Sequence, residues 1–360
     1  MKRLGMVILI LLILSIAGTM IFFSFEENQK WFVRYLDSFS NKGKQVVENA
    51  YIPGDGISYI NGRYLVWNGE ELSVSDESGK ILWERTFLMD DPKLDIRDNL
   101  IGIYDRISGE AMVFSFNGEI LAQIEEESPI FSFKPSKNGH IVHIKEEARQ
   151  VLKIYERNGE HRENIIFTKG YPIDYILEEE SILVTVLDFQ NKGINTKVLR
   201  YNEDGDQELY SIDDRIIIKV ASMTKGNLIV ADTGIYMQQN EDLVWGRDFP
   251  MLKDVLLDGN EIYVIYGDNL RILDDKGSTL RQETFGMDYN NLHNHGKYII
   301  LAGDKDILVL LHREPVASYS FNATIVDIQS QFNDLVITTE NGVNIMRIED
   351  KENETEEEKQ

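Results

Sequence analysis

The sequence predicts an all-β chain, an eight-bladed β-propeller (seven blades if one repeat is irregular), preceded by one N-terminal transmembrane helix. Three observations predict it. A Gly-centred hairpin returns roughly every 36–46 residues, the period of a four-stranded blade. Short runs of β-branched and aromatic residues each precede a turn. No stretch between 54 and 349 sustains a helical apolar period.

Met1-Lys2-Arg3 is basic, and Leu4 to Phe25 then runs without a charge. At about 1.5 Å rise per residue that run spans a hydrocarbon core of about 30 Å. Ser15-Ile16-Ala17 offers small residues suited to cleavage, but Met20-Ile21-Phe22-Phe23 continues the apolar run beyond them. The segment 1–25 therefore reads as an uncleaved signal anchor. Lys2 and Arg3 before it, with Glu26 and Glu27 after it, predict a cytoplasmic N-terminus and an extracytoplasmic bulk at the cell membrane. Residues 26–43 form a juxtamembrane linker. There Trp31, Tyr35 and Phe39 fall four apart and would share one helix face. That face could lie in the headgroup zone or pack against the underside of the propeller.

The propeller is expected over 44–349. Its hairpins read Ser78-Gly79-Lys80-Ile81-Leu82-Trp83, Asn117-Gly118-Glu119, Asn158-Gly159-Glu160, Asp204-Gly205-Asp206 and Lys276-Gly277-Ser278. Degenerate copies stand at Asn240-Glu241-Asp242 and Arg313-Glu314-Pro315. Asn-Gly and Asp-Gly suggest two-residue hairpins, which need positive φ. Eight second strands follow: Tyr64 to Trp67, Leu100 to Tyr104, Ile141 to Ile144, Ile182 to Leu187, Leu228 to Ala231, Ile262 to Tyr266, Tyr298 to Ala302 and Leu335 to Thr338. The last unit has only three strands before the chain turns acidic. Lys44 to Ile52 is the strand-like piece left over, and pairing it there would close the ring without a long free edge. Residues 350–360 are expected to be a disordered acidic tail.

The first hairpin, with Gly79 and Trp83 four apart, resembles the repeat of quinoprotein-like (PQQ-repeat-like) propellers; Glu241 and Trp245 keep the spacing without the glycine. The resemblance implies that the Trp docks against the neighbouring blade. Ser75 stands where that family usually has an Asp in the turn. One branch of the superfamily binds a quinone with calcium and, commonly, a vicinal cysteine disulfide. This chain has no cysteine, which points to the non-catalytic branch, similar to the propeller lipoprotein that assists outer-membrane protein assembly. With its anchor, the chain looks most like the membrane-anchored propellers of Gram-positive bacteria.

Composition narrows the chemistry. The 37 basic and 61 acidic residues give a formal charge of −24, which argues against nucleic acid and against lying flat on anionic lipid. A basic partner, a cationic ligand or simple solubility would fit. The absence of cysteine removes thiol nucleophiles, Cys-ligated zinc, iron–sulfur clusters and disulfides. No nucleophile motif or phosphate-binding glycine loop is present. No catalytic residue, metal ligand or cofactor is therefore assigned.

His293 and His295, two apart, would share a strand face as metal ligands, but alignment of the repeats puts them in a surface turn. His140 and His143 would point to opposite faces of a strand, and His161 and His312 lie near outer hairpins. Asn202 to Glu208 carries some oxygen ligands of a calcium loop without its frame. Asp95, Asp174, Asp254 and Asp327 recur near the first strand of their blades. As first strands line a propeller's channel, these carboxylates could form a cation-attracting well, or each could bind backbone amides. The functional expectation is a non-catalytic binding or assembly scaffold in the cell envelope, with a protein or envelope polymer as partner. The alternatives are a propeller hydrolase, lyase or dehydrogenase acting on an envelope polymer, and a sensor or assembly subunit working through its membrane helix.

Overall fold

Four of the outer hairpins are built alike. In each, the residue three before the glycine accepts the glycine N–H through its carbonyl: Asp76 from Gly79 at 2.9 Å, Ser115 from Gly118, Glu156 from Gly159 and Asp274 from Gly277, each at 3.0 Å. Side chains reinforce the turn. Asp76 Oδ1 accepts the amides of Ser78 and Lys80, and Asp274 Oδ1 those of Lys276 and Ser278. These glycines alone adopt positive φ, between 77° and 86°, while Ser78, Asn117, Asn158 and Lys276 do not. The two-residue turn expected from Asn-Gly is thus replaced by a longer turn that ends on a left-handed glycine and a bulge. A two-residue positive-φ turn occurs in this role at His312 and Arg313.

The computed structural model describes residues 44–350 except 54–55, 61, 77, 190–192, 203–204, 224–225, 240–241 and 332. The expected membrane span, the linker aromatics, the acidic tail beyond Asp350 and part of the calcium-like loop lie outside the described residues. Among the described residues no helix is long and apolar enough to cross a membrane.

Thirty-two strands among these residues form eight four-stranded antiparallel sheets, an eight-bladed β-propeller. Blades I to VII occupy residues 57–86, 92–125, 130–167, 171–213, 217–248, 252–284 and 289–320 in turn. Blade VIII combines Ile325–Gln331, Asp334–Thr339 and Gly342–Asp350 with the N-terminal strand Lys44–Pro53 at its outer edge. The strand expected to complete the last blade does so. Lys44 Nζ meets the Asp350 carboxylate at one end of that pairing, so the strand runs one residue further than 349. At the other end a Cβ on Gly342 would lie 2.2 Å from the Ile52 carbonyl oxygen, which with φ +151° makes glycine obligatory there.

Two compact units divide the chain. One, residues 52–252 with 340–343, holds blades I to V; the other, residues 253–339 with the segments to Tyr51 and from Asn344, holds most of VI to VIII. Within each unit, neighbouring blades share an apolar layer. Val142 and Ile144 pack with Ala111, Val113 and Phe133, whereas Ile141, just before them, packs with Tyr175 and Val184 on the other side. Alternate residues of one strand thus serve alternate blade interfaces, and the strand reads as a continuous apolar run because both its faces are covered. In the second unit Ile299 and Leu301 face Tyr263 and Ile265, while Ile300 and Ala302 face Leu335 and Ile337.

At the outer edge the implied tryptophan docking is present. Trp83 Nε1 donates to the Phe116 carbonyl at 3.0 Å, and a Cβ on Gly118 would sit 2.8 Å from the indole Cγ. Blade II has Ala122 at the Trp83 position, as the pairings with Val113 and Val74 show, and there the Gly159 hairpin closes directly onto Ala122 and Gln123. In the second unit Arg281 takes the same position and binds the Glu314 carboxylate of the next hairpin. Trp245 pairs with Met237 at that position in blade V. Gly205 begins the outer strand of blade IV, with nothing within 4 Å of its Cβ site.

Candidate interaction face on the first strands

Each first strand is an edge strand of its sheet. In blades III, IV, V, VII and VIII it carries a β-bulge near its start, which leaves one residue without a cross-strand partner. The unpaired residues are Phe131, Ile173, Ile218, Asn290 and Val326. A bulge bends the strand and re-aims the extra side chain outward. Phe131 is accordingly 45 % exposed, Ile173 39 %, Ile218 58 % and Val326 66 %. In the first unit, three successive blades thus present an apolar side chain at one structural position. These side chains lie at the end of the first strand that receives the connection from the preceding blade. Leu88, 98 % exposed, lies in one such connection, and Ile107, also exposed, in the second-to-third-strand turn of blade II at the same end.

The row is braced from beneath. Phe131 of blade III and Tyr171 of blade IV both pack against the buried His143 ring, at 5.6 Å between centroids. Tyr175 meets the same imidazole edge-on at 6.0 Å. His143 Nε2 bonds Gln150 Oε1 at 2.9 Å, and burial holds its pKa below the ordinary value, leaving a neutral ring at neutral pH. Connections on this face are fixed as well. The buried Asp105 carboxylate accepts the amides of Asp90, Asp91 and Ile107, clamping the blade I–II connection to a turn of blade II. Burial pushes the carboxyl up, but these bonds outweigh it and hold the pKa at about 2.

Where the chain passes from blade II to blade III, a cleft of about 620 Å³ is lined by Glu125, Glu126, Glu127, Glu146 and Glu147, with Lys145 and Lys153 the cations among its lining residues. Glu126 is buried. One oxygen accepts from Lys153 Nζ at 2.7 Å and the other from the Tyr155 hydroxyl. Burial works against the lysine's charge, but Glu126 and then Glu146 overcome it and raise the Lys153 pKa. The same burial and the Glu126 bond raise the Tyr155 phenol. Glu127 is exposed.

The four aspartates singled out in the sequence all stand on first strands, each engaged locally. Asp95 pairs with Arg97 at 2.8 Å and Asp174 with Lys134 at 2.5 Å. That Lys134 ammonium also lies 4.3 Å from the Tyr175 ring centroid. Asp254 accepts the amides of Val255 and, from the next blade, Leu292, both at 2.7 Å; Asp327 accepts from Gln329 Nε2 at 2.7 Å. Asp254 thus binds two backbone amides, one from each of two neighbouring blades.

The histidines require a correction. Tyr289–His295 is the first strand of blade VII, and the turn follows it at Gly296 and Lys297. The Asn-rich sequence resembles a turn, but those side chains are hydrogen-bonded along a strand. His295 is buried and its Nδ1 lies 3.1 Å from Ser330 Oγ; Asn294 Nδ2 donates to Asp258. Burial lowers the His293 pKa while Asp254 and Asp327 pull it back up, so this ring joins two of the predicted carboxylates electrostatically. His140 packs on Phe133 and His143 on Tyr171, from one strand, as alternation demands. Among the described residues no group of three or more His, Cys, Asp or Glu is placed to hold a metal ion.

The bulge row was not read from the sequence, yet a signal for it exists. Ile130-Phe131, Ile217-Ile218 and Ile325-Val326 each put two apolar residues together where strict alternation allows one. Such a break in the two-residue period, repeated at one blade position, marks an extra residue.

Two solved structures are similar in fold. BamB from Moraxella catarrhalis matches with a TM-score of 0.62 at 12% identity, covering 84% of this chain and 99% of its own. Apo AztD from Citrobacter koseri matches with a TM-score of 0.51 at 12% identity, covering 75% of this chain and 87% of its own. Both are β-propeller proteins, and at this identity the likeness is one of fold. No curated protein matches the chain. The model of a family of unknown function, DUF5711, matches residues 38–348, and the chain belongs to that family.

Proposed function

We propose that this protein is a non-catalytic binding or assembly scaffold, tethered to the cell membrane through residues 4–25 with its propeller on the extracytoplasmic side. The observation that carries the scaffold reading is the bulge row: Phe131, Ile173 and Ile218 sit exposed at equivalent positions on rigid strands. Exposed apolar groups on a rigid frame, with neighbouring turns free to vary, suit recognition of a large partner. The aspartates of the first strands are committed to amides and cations, and His143 beneath the row to ring contacts, which suits support better than turnover. BamB-like and AztD-like folds are compatible with a scaffold. The tether rests on the uncharged run Leu4 to Phe25.

The test uses the full-length chain in its native envelope, with a photo-crosslinking residue placed at 131, 173 or 218. The expected result is a membrane-fraction protein and one discrete adduct shared by the three positions. Robust turnover by the purified chain against hydrolase, lyase and dehydrogenase panels, with no adduct, would overturn the reading.

A further inference from the structure

We infer that the bulge-row face of blades III to V docks a cationic, amphipathic polypeptide segment, its apolar side chains on the row and its Lys or Arg residues over the adjoining glutamates. This rests on the scaffold reading and names the class of partner.

The apolar half of the site is the row itself. Bulges at one blade position deliver Phe131, Ile173 and Ile218 to solvent, and the packing of Phe131 and Tyr171 on His143 holds two of the blades in fixed relation. A partner therefore meets a preformed surface and loses little to ordering it. The acidic half lies at the same end of blade III, on the segment that leads into Phe131. The last residue of blade II is Glu125, the connection into blade III carries Glu126 and Glu127, the latter four residues before Phe131, and Glu146 and Glu147 stand where the second strand of blade III ends in its turn. Lys153 neutralises Glu126 and reaches Glu146 at 3.5 Å, so Glu125, Glu127 and Glu147 supply the outward charge. The chain's overall charge of −24 would steer a cationic segment toward the protein, while the local glutamates and the apolar row fix where it settles. An anionic polymer would be repelled here.

Charge alone would draw any cation to so acidic a protein, and the decisive variant exploits that. In Phe131→Glu/Ile173→Glu/Ile218→Glu, three added carboxylates strengthen a purely electrostatic association but weaken one that seats apolar side chains on the row. The full-length chain is reconstituted in phosphatidylcholine nanodiscs, with empty nanodiscs as blank. Anisotropy titrations follow three labelled peptides of equal length: alternating Leu and Lys, alternating Ser and Lys, and alternating Leu and Glu. The Leu/Lys peptide is expected to bind at least tenfold tighter than the others. The triple glutamate variant should lose at least tenfold for that peptide, and Phe131→Ser/Ile173→Ser/Ile218→Ser should lose a similar amount. Glu125→Gln/Glu127→Gln/Glu147→Gln should lose severalfold and flatten the salt dependence. Circular dichroism and thermal midpoints confirm that the variants are folded, as substitution of exposed side chains predicts.

Unchanged or tighter binding by the triple glutamate variant overturns the inference, as does equal binding of the Ser/Lys or Leu/Glu peptide. If the crosslinking positions yield a partner adduct while the Leu/Lys peptide fails, the cationic class falls and the scaffold stands. If both fail, the scaffold reading falls with it.

Discussion

The first strands of blades III to V and those of blades VI and VII occupy the same place in their sheets and are finished in opposite ways. In blades III to V the bulge positions hold Phe131, Ile173 and Ile218, exposed and apolar. In blade VII the same position is Asn290, and the blade VI strand places Asp254 to accept amides from its own strand and from Leu292 of its neighbour. Both regions use polar groups to hold adjacent blades, Lys134 to Asp174 in one and Asp254 to Leu292 in the other, but blades III to V also offer exposed apolar side chains. The shared bulge position thus carries an exposed apolar side chain in blades III to V and a polar one, Asn290, in blade VII. Val326, exposed at the bulge of blade VIII, shows that the apolar choice recurs outside the first unit.

The sharpest way to break this division lies within the first of these regions. Glu126 and Glu127 are adjacent, but Glu126 is buried against Lys153 and Tyr155 while Glu127 is exposed. Removing Glu126 leaves the buried Tyr155 hydroxyl without its acceptor and Lys153 with Glu146 alone. Glu126→Ala should cost about 3 kcal/mol, and Glu127→Ala should stay within about 0.5 kcal/mol. Urea denaturation of both variants, read as midpoint shifts at constant slope, checks this. Equal effects would mean that the cleft is not divided into supporting and outward-facing glutamates.

The outer hairpins carry the same contrast. A Cβ at Gly118 meets the Trp83 indole at 2.8 Å with φ at +85°, whereas Gly79, at φ +81°, has nothing within 4 Å. Both alanine substitutions incur the left-handed penalty, about 1 kcal/mol. Only Gly118→Ala adds a clash against a ring that the Phe116 carbonyl holds in place, for a total of about 2–3 kcal/mol. Trp83→Ala combined with Gly118→Ala should remove that excess, which a double-mutant cycle measures.

Next in size is the comparison across regions. Asp254→Ala leaves the Val255 and Leu292 amides without their acceptor and should cost about 2 kcal/mol. Ile218→Ser, at an exposed bulge, should fall within about 0.5 kcal/mol. If the order reversed, the first strands of blades III to V would be the structural ones.

Much of the architecture was legible because strand periodicity and turn chemistry are local. Eight second strands and the recurring hairpin glycines follow from residues near one another in sequence, while the completing role of 44–52 follows by elimination, as the strand-like piece left over. The docking of Trp83 on Gly118 followed from the family resemblance. The turn type was misread because Asn-Gly suits more than one hairpin, and backbone geometry around Gly118 or Gly159 decides between them. His293 and His295 were misplaced because a polar strand facing hydrogen-bonding neighbours has the composition of a turn. Asp95 pairs with Arg97 two residues on, but the partners of Asp174 and Asp254 come from the adjacent blade, which a single repeat does not encode. The bulge row lay in the same blind spot, since it is a property of aligned blades.

The smallest effect is a pH dependence, and it separates the two regions by sign. His143 and His293 are both lowered below 6.5 by burial, so the folded state takes up their protons at lower pH than the unfolded state does. Their contribution to stability is intact at neutral pH and is lost as pH falls through the ordinary histidine value toward the folded one. Each group can contribute a slope of at most about 1.4 kcal/mol per pH unit in that window. In the first unit, His143 has Gln150 as its polar partner and aromatic rings around it, so His143→Gln should flatten the acid side of the stability curve. In the second, Asp254 and Asp327 hold the His293 pKa up against burial, so Asp254→Asn should lower it further and steepen the same limb. Denaturant midpoints between pH 7.5 and 5, with NMR titration of the two imidazoles, distinguish the cases. Loss of protein self-repulsion on acidification acts on all the variants alike and cancels in the differences. Opposite changes in slope from the two substitutions would show that one region isolates its histidine while the other ties it to carboxylates; parallel changes would erase the distinction.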